Sequence, residues 1–319
     1  MSERPRAVVL GASGIGKHHV KWLLRAGCDV VGFLGTSPES LLKTHAMLKE
    51  TLGFTGAGYT SLSMMLAECR PHLASVASPM HIHYEHVMAC LGVGAHVLCE
   101  KPLVGLGSVS TDDELFLAQR LVSAAERSGV LLAVNTQYAA AAPHLRNIAH
   151  ATGPMTEFCM QMESRGQNRT GGYEQIWDDL AAHPISVLLA LVPDGEVDWS
   201  TVKCTLAENR NECAFEVAAP GGVCQARIVL GTVREGPLTR KFSVNGVEVG
   251  YEGRNDEHGV YCSYLTHGEQ TLKATDFMEE SITRFAAAAR GEGRPLVTGP
   301  VGLKNLELQL RLLQGAERR

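Results

Sequence analysis

The sequence predicts two domains, an α/β doubly wound parallel sheet followed by an α+β domain on an antiparallel sheet. Three observations lead there. In the first part of the chain, short apolar runs alternate with amphipathic, helix-like stretches, the pattern of parallel strands covered on both faces by crossover helices. A glycine-rich turn, Gly11 to Gly16, stands between the first such run and the first helix-like stretch. Beyond about residue 138 the texture changes to longer runs that read as antiparallel strands. A length of 319 residues agrees with two domains, at about 150 residues each.

Taken in order, Ala7–Leu10 is an apolar strand ending at Gly11, and Lys17–Ala26 reads helical. Val30–Leu34 is the second strand, and Pro38–Leu52 is a helix with its proline in the first turn. Tyr59 precedes the amphipathic stretch Ser61–Cys69; Leu73–Ala77 is a strand and His83–Leu91 a helix. Ala95–Cys99, the long amphipathic Leu115–Ser128 and Val130–Val134 close the series, and right-handed crossovers make the sheet doubly wound. Ala139–Ala142, followed by Pro143, reads as a boundary or hinge. Strands follow at Thr156–Glu163, Thr201–Ala207, Ala214–Ala218 and Val223–Leu230, and Arg240–Val249 carries a Val-Asn-Gly turn signal. Two helices, Asp276–Arg290 and Val301–Gln314, end the chain.

Composition excludes several classes. The chain is 45% hydrophobic and 20% charged with a net charge of −5 and no block of Lys or Arg, which speaks against nucleic acid or an anionic membrane as partner. No apolar run reaches the roughly 18–20 residues of a membrane span, and the start of the chain lacks the long apolar core of a signal peptide. Nine cysteines, odd in number and scattered without a Cys-x-x-Cys pair, predict neither a disulfide framework nor a zinc knuckle and fit a reducing cytoplasm.

In a strand–turn–helix unit, glycines let the backbone turn tightly against a pyrophosphate, and the helix start offers free N–H groups. Gly11 and Gly16 fit the first and third positions of Gly-x-Gly-x-x-Gly; Ser13 takes the second, with Gly14 beside it. The letters also invite comparison with short-chain dehydrogenases, but no tyrosine is followed by lysine four residues on. Where the second strand ends, an NAD site usually carries Asp or Glu for the ribose hydroxyls. This chain has Gly35, Thr36 and Ser37, with Lys43 nearby. Hydroxyls and a lysine suit a 2′-phosphate, so NADP is favoured over NAD, both remaining open. His81, His83 and His86 invite a metal reading, but no carboxylate or cysteine cluster joins them at ligand spacing, so no metal is expected. His18 and His19 read as packing or surface residues.

Glu100-Lys101-Pro102 follows the predicted strand Ala95–Cys99, where ligands bind in open α/β sheets. With the N-terminal glycines, Ser78–His83, Gly171–His183 and Asp276–Phe285, the chain resembles the Gfo/Idh/MocA family of NAD(P)-dependent oxidoreductases over nearly its whole length. The resemblance implies a Rossmann NAD(P)-binding domain over residues 1–137. Residues 138–319 would form a substrate-binding and oligomerisation domain on a large open antiparallel sheet, building a homodimer or homotetramer. It implies cofactor contacts from Gly11, Ser13, Gly14, Ile15, Gly16, Thr36, Ser37, Ser78, Pro79, His83, Glu100 and Lys101. Lys101 takes the catalytic lysine's place, and Asp179 and His183 match the ends of Asp-x-Gly-x-His, with Ala181 at the glycine position.

Alcohol oxidation removes a proton from oxygen and a hydride from carbon. His183 is suited to the proton, Lys101 to polarising the oxygen and Asp179 to support, and the two first roles can exchange. In a single helix the i,i+4 spacing puts Asp179 and His183 on one face, against which Pro184 disfavours helix at His183. Relatives often have aspartate three residues after the histidine; Ser186 stands there, which weakens a polyol-dehydrogenase pattern. Gln137, Tyr138, Arg165, Tyr173 and Trp177 are the further substrate contacts expected. The implied substrate is a sugar, cyclitol or related hydroxy or keto compound. A non-catalytic nucleotide sensor of the same fold, an NAD-dependent glycosidase and an imine or enone reductase are the alternatives.

Overall fold

The computed structural model describes residues 4–105, 110–165 and 172–318, with 172 and 173 by backbone alone. Two compact units divide the chain: residues 1–135 with 279–306, and residues 136–278 with 307–319.

In the first unit β1 (Arg6–Leu10), α1 (Gly16–Arg25), β2 (Asp29–Leu34), α2 (Pro38–Leu52), β3 (Ala57–Tyr59) and α3 (Leu62–Cys69) are followed by β4 (Leu73–Val76), α4 (His83–Gly92), β5 (His96–Glu100), α5 (Thr111–Ser128) and β6 (Leu132–Asn135). The six strands pair in parallel in the order β3-β2-β1-β4-β5-β6. Chain order reverses between β1 and β4, and the crevice beyond their carboxyl ends is the ligand position of such sheets. Val8, Val9 and Leu10 are fully buried; burial of each such side chain contributes about 1.5–3 kcal/mol.

The helix ends follow local chemistry. Ser37 and Ser40 form a reciprocal capping box at the start of α2, Pro38 fills its first turn, and Gly53 ends it in the left-handed region at φ 66°. α5 begins at Thr111, ahead of the expected Leu115, because the Ser110 hydroxyl accepts the Asp113 N–H and three acidic residues occupy the first turn. Residues 279–306 return to this unit: Val134 N–H donates to the Val297 carbonyl and Arg290 to that of Ala26.

The second unit contains α6 (Ala141–Ile148), β7 (Glu157–Arg165), α7 (Gly172–Leu180), α8 (Ala182–Leu191), β8 (Glu196–Ala207), β9 (Arg210–Ala219) and β10 (Gly222–Val233). These are followed by β11 (Arg240–Val244), β12 (Val247–Asn255), β13 (Tyr261–His267) and β14 (Gln270–Thr275). α9 (Phe277–Ala289) and α10 (Gly299–Gln314) span the division in sequence, and β15 (Glu317–Arg318) ends the chain. Nine strands form one sheet, β14-β13-β12-β11-β7-β10-β9-β8-β15, antiparallel except where β10 meets β7 and β15 meets β8. Phe158, Met160 and Met162 point into the core while Cys159, Gln161 and Glu163 alternate outward. The outward face carries ion pairs such as Arg227–Glu212 and Lys241–Glu248.

Several expectations change. The tetra-alanine stretch lies just beyond the division at residues 135 and 136 but is ordered rather than a loop: Gln137–Ala140 forms a 3-10 turn running into α6, and Ala139–Ala142 are buried. The Val-Asn-Gly turn is present, with Asn245 at φ 49° and Gly246 at φ 80° between β11 and β12, as a two-residue hairpin of right-handed twist requires. The following hairpin, β13 and β14, was not expected; β14 is an exposed edge strand of mixed polarity and has no alternating signal. Cys204 and Cys213 are joined by a disulfide, directly opposite each other in the β8–β9 hairpin with Cα atoms 4.1 Å apart. This single bond is not the framework that the scattered cysteines speak against, and spacing does not signal it, because register brings the two residues together.

Candidate active site

Beyond the carboxyl ends of β1, β2 and β4 lies a cavity of about 420 Å³, lined at its floor by Gly11, Ala12, Ser13 and Gly14. Gly11 has φ +89°, and a Cβ there would lie 2.6 Å from the Ala77 carbonyl oxygen; only glycine meets both conditions. Gly16 is packed against the Gly11 carbonyl, whereas Gly14 faces open space. The N-cap of α1 is Ile15, which offers no capping oxygen, and the first turn has no acidic residue. The Lys17 and His18 N–H groups bond back to the Gly14 and Ile15 carbonyls, and no side chain covers the helix start that follows the cavity-lining Gly11–Gly14 turn, the arrangement that suits a phosphate.

At the other end of the cavity Gly35, Thr36, Ser40 and Thr44 present small and hydroxyl groups, and none of the lining residues is acidic. Ser37 is occupied as the cap of α2. Lys43 pairs with Glu39 at 2.7 Å, both more than three-quarters exposed. Ser78 and Pro79 line the β4 side together with Ile82 and His86; His86 receives or donates a 2.9 Å hydrogen bond with the Ser78 hydroxyl.

His83 is buried and does not line this cavity. Its Nδ1 lies 2.8 Å from the Pro102 carbonyl and its Nε2 2.8 Å from that of Ser78. Carbonyls only accept, so both bonds are complete only in the imidazolium. Burial is the strongest influence and lowers the His83 pKa, against the opposing pull of the two carbonyls. His81 is exposed, and among the described residues no cluster of three His, Cys, Asp or Glu side chains has the arrangement of a metal site.

Lys101 leaves the end of β5 through a cis peptide to Pro102. Glu100 anchors it: Oε1 accepts from His19 Nε2 at 2.8 Å and from Asn135 Nδ2 at 2.6 Å, and Oε2 accepts the Lys101 N–H at 3.3 Å. Burial raises the Glu100 pKa, but the bonds and charge of His19, the Asn135 amide and the Lys101 charge outweigh it and hold the group below the usual range. Asn135 Oδ1, at the end of β6, is buried with no hydrogen-bond partner in the described protein, so it offers an acceptor to an incoming amide. The glycine turn, the uncapped helix and this acceptor together fit a nicotinamide dinucleotide. His19, read as packing or surface, is fully buried, and both of its ring nitrogens are hydrogen-bonded, which the sequence did not signal.

In the second unit, Asp179 and His183 fall on different helices. Pro184 has no N–H for the Leu180 carbonyl, so α7 stops at Leu180 and α8 starts at Ala182, with Pro184 tolerated in its first turn. Asp179 is exposed and His183 half-buried. The His183 ring lies 5.0 Å, edge-on, from that of Tyr138. Tyr138, expected to touch substrate, is 2% exposed and its hydroxyl accepts from Arg240 Nη1 at 2.6 Å; it backs His183 instead. Trp177 is likewise corrected to a core residue, 1% exposed with its N–H donating to the Gln309 carbonyl. Ser186 donates to the His183 carbonyl at 2.7 Å. Gln137 is half-buried on the 3-10 turn, and Arg165 is exposed at the end of β7. Gly171 and the Tyr173 side chain lie outside the described residues. Arg240, with Nε buried and unpartnered in the described protein, has no sequence signal: it is one arginine at the start of a strand.

Residues 5–136 match the model of the Gfo/Idh/MocA oxidoreductase family, NAD-binding Rossmann fold. Residues 5–136 belong to that family. The whole chain is similar to 1,5-anhydro-D-fructose reductase from Ensifer adhaerens, 24% identical over 97% of this chain and 95% of that protein. Among solved structures the fold of this chain recurs in UDP-N-acetylglucosamine 3-dehydrogenase from Acidithiobacillus ferrooxidans, at TM-score 0.75 and 17% identity, covering 99% of this chain and 98% of that one. It recurs in an inositol dehydrogenase homologue from Azotobacter vinelandii solved with NAD+, at TM-score 0.74 and 18% identity, covering 98% and 95%. No described helix of this chain is long and apolar enough to cross a membrane.

Proposed function

We propose that the protein is an NAD(P)-dependent oxidoreductase acting on CH–OH groups of a sugar, cyclitol or related hydroxy or keto compound. The observation that carries this reading is the uncapped start of α1 behind Gly11, in the crevice where the parallel sheet reverses order. The bound nicotinamide supplies the hydride acceptor or donor. Gly11, Ser13 and Gly14 give the phosphates room and N–H donors; Ser78, Pro79 and Glu100 shape the nicotinamide end. The Lys101 ammonium polarises the substrate oxygen, His183 takes or returns its proton, and Asp179 supports the exchange from the end of α7. Gln137 and Arg165 supply polar contacts to substrate hydroxyls.

NADP(H) is the preferred cofactor. No carboxylate lines the ribose end of the cavity to repel a 2′-phosphate, and hydroxyls do. The exposed Lys43–Glu39 pair is worth at most about 1 kcal/mol and yields its lysine to a phosphate. The protein assembles as a homodimer or homotetramer through the outward face of the nine-stranded sheet. Fluorescence titration is expected to show tighter binding of NADPH than NADH by about tenfold, one charge-assisted hydrogen bond. A sugar and cyclitol panel should then give turnover that Lys101→Ala removes with nucleotide affinity kept. Binding of neither nucleotide ends the reading.

A further inference from the structure

We propose that His19 is a positioning residue that ties the glycine-turn helix to the Lys101 segment, through a buried Ser75–His19–Glu100–Asn135 chain; this rests on the role of Lys101 proposed above. His19 projects from the first turn of α1, directly after the glycines, and is 0% exposed; Ser75, in β4, is 1% exposed. The Ser75 hydroxyl lies 2.6 Å from His19 Nδ1, His19 Nε2 lies 2.8 Å from Glu100 Oε1, and Asn135 Nδ2 donates to the same oxygen at 2.6 Å. A carboxylate only accepts, so Nε2 carries a proton. Nδ1 accepts the serine O–H in the neutral ring and donates to the serine oxygen in the imidazolium, so the Nε2–H to Glu100 bond is the same in either form.

The chain joins four elements, α1, β4, β5 and β6, and its third member, Glu100, is the residue beside Lys101. Glu100 Oε2 takes the Lys101 N–H, so the carboxylate that His19 holds also holds the lysine's backbone. From the other side His83 holds the Pro102 carbonyl. Glu100 is left 13% exposed; without His19 it loses one of two side-chain donors in a site with little water to replace it. A buried carboxylate so deprived reorients or takes up a proton, and either change releases the Lys101 N–H. A displacement of about 1 Å at a reacting group lowers rate by about a hundredfold. A residue that merely fills space has no such consequence, because leucine fills it as well.

The test uses the full chain with His19→Leu and His19→Gln, the latter keeping an amide donor for Glu100. Hydrogen exchange at the Lys101 amide is expected to rise about tenfold or more in His19→Leu and to return towards the wild-type rate in His19→Gln, with NADPH affinity changed less than about threefold in both. On the alcohol that turns over in the panel, kcat of His19→Leu falls about tenfold to a hundredfold while KM for NADP+ holds, and His19→Gln recovers it. Unchanged Lys101 exchange, or unchanged kcat, overturns the proposal. If His19→Leu does not fold, Ser75→Ala removes only the far end of the chain; a rise of about threefold in Lys101 exchange supports the link and no rise overturns it. Should Lys101→Ala keep full turnover, the catalytic reading fails by itself, and the exchange measurement still decides whether His19 fixes this segment.

Discussion

Gly11 shows how one backbone position commits the nucleotide end of the molecule. Its φ of +89° and the 2.6 Å approach of a would-be Cβ to the Ala77 carbonyl mean that Gly11→Ala strains the turn by about 1–3 kcal/mol. The expected result is a lower melting temperature together with loss of NADPH binding in a fluorescence titration; tight binding with full stability would contradict it. Trp177 makes the opposite case. Trp177→Phe removes the indole N–H bond to the Gln309 carbonyl, at a cost of about 0.5–1.5 kcal/mol, yet turnover is expected to stay at the wild-type level. A selective fall in kcat would restore the residue to the site. Gly11 was legible because its motif is local; the role of Trp177 was not, because its partner lies 132 residues away.

At the scale of elements, the parallel strands and their helices were readable because each obeys a local rule: apolar runs for buried strands, Ser37-Pro38 for a helix start, Asn245-Gly246 for a hairpin. Pro184 obeys a local rule too: it denies the Leu180 carbonyl its donor and divides α7 from α8, so Asp179 and His183 do not share a helix. The exceptions are elements whose cause is not local. β14 is held by pairing with β13 more than by its own composition. The Cys204–Cys213 bond clasps the β8–β9 hairpin. Opening it by serine at both positions is expected to lower unfolding free energy by about 2–3 kcal/mol, the loop-closure value for so short a span. Denaturant titration measures this, and an unchanged midpoint would show that the strands alone hold the hairpin.

Across the molecule, acid should act first on the parallel-sheet unit. His83, His86 and His96 all lie there, and burial, the largest influence on each, lowers their pKa values. In the unfolded chain they titrate near about 6.5. Between that value and their lower folded values the unfolded chain binds more protons, so stability is fully present above about pH 6.5 and is lost as pH falls through it. Glu100, also lowered, adds a second loss at more acid pH. Thermal melts are expected to be nearly level from pH 7 to 8 and to drop steadily from pH 6.5 to 5; a level profile down to pH 5 would refute the burial of these imidazoles.

By itself the amino-acid order determined the parallel-sheet architecture, the glycine turn and the position of Lys101 at a strand end, because strand periodicity, backbone freedom at glycine and helix-start chemistry act within a few residues. Only the tertiary structure decided that His19 belongs to a buried polar chain, that Tyr138 backs His183, and that two scattered cysteines meet. Those outcomes depend on which distant segments share a register or a buried volume, and a buried polar atom takes whichever partner the packing brings within reach.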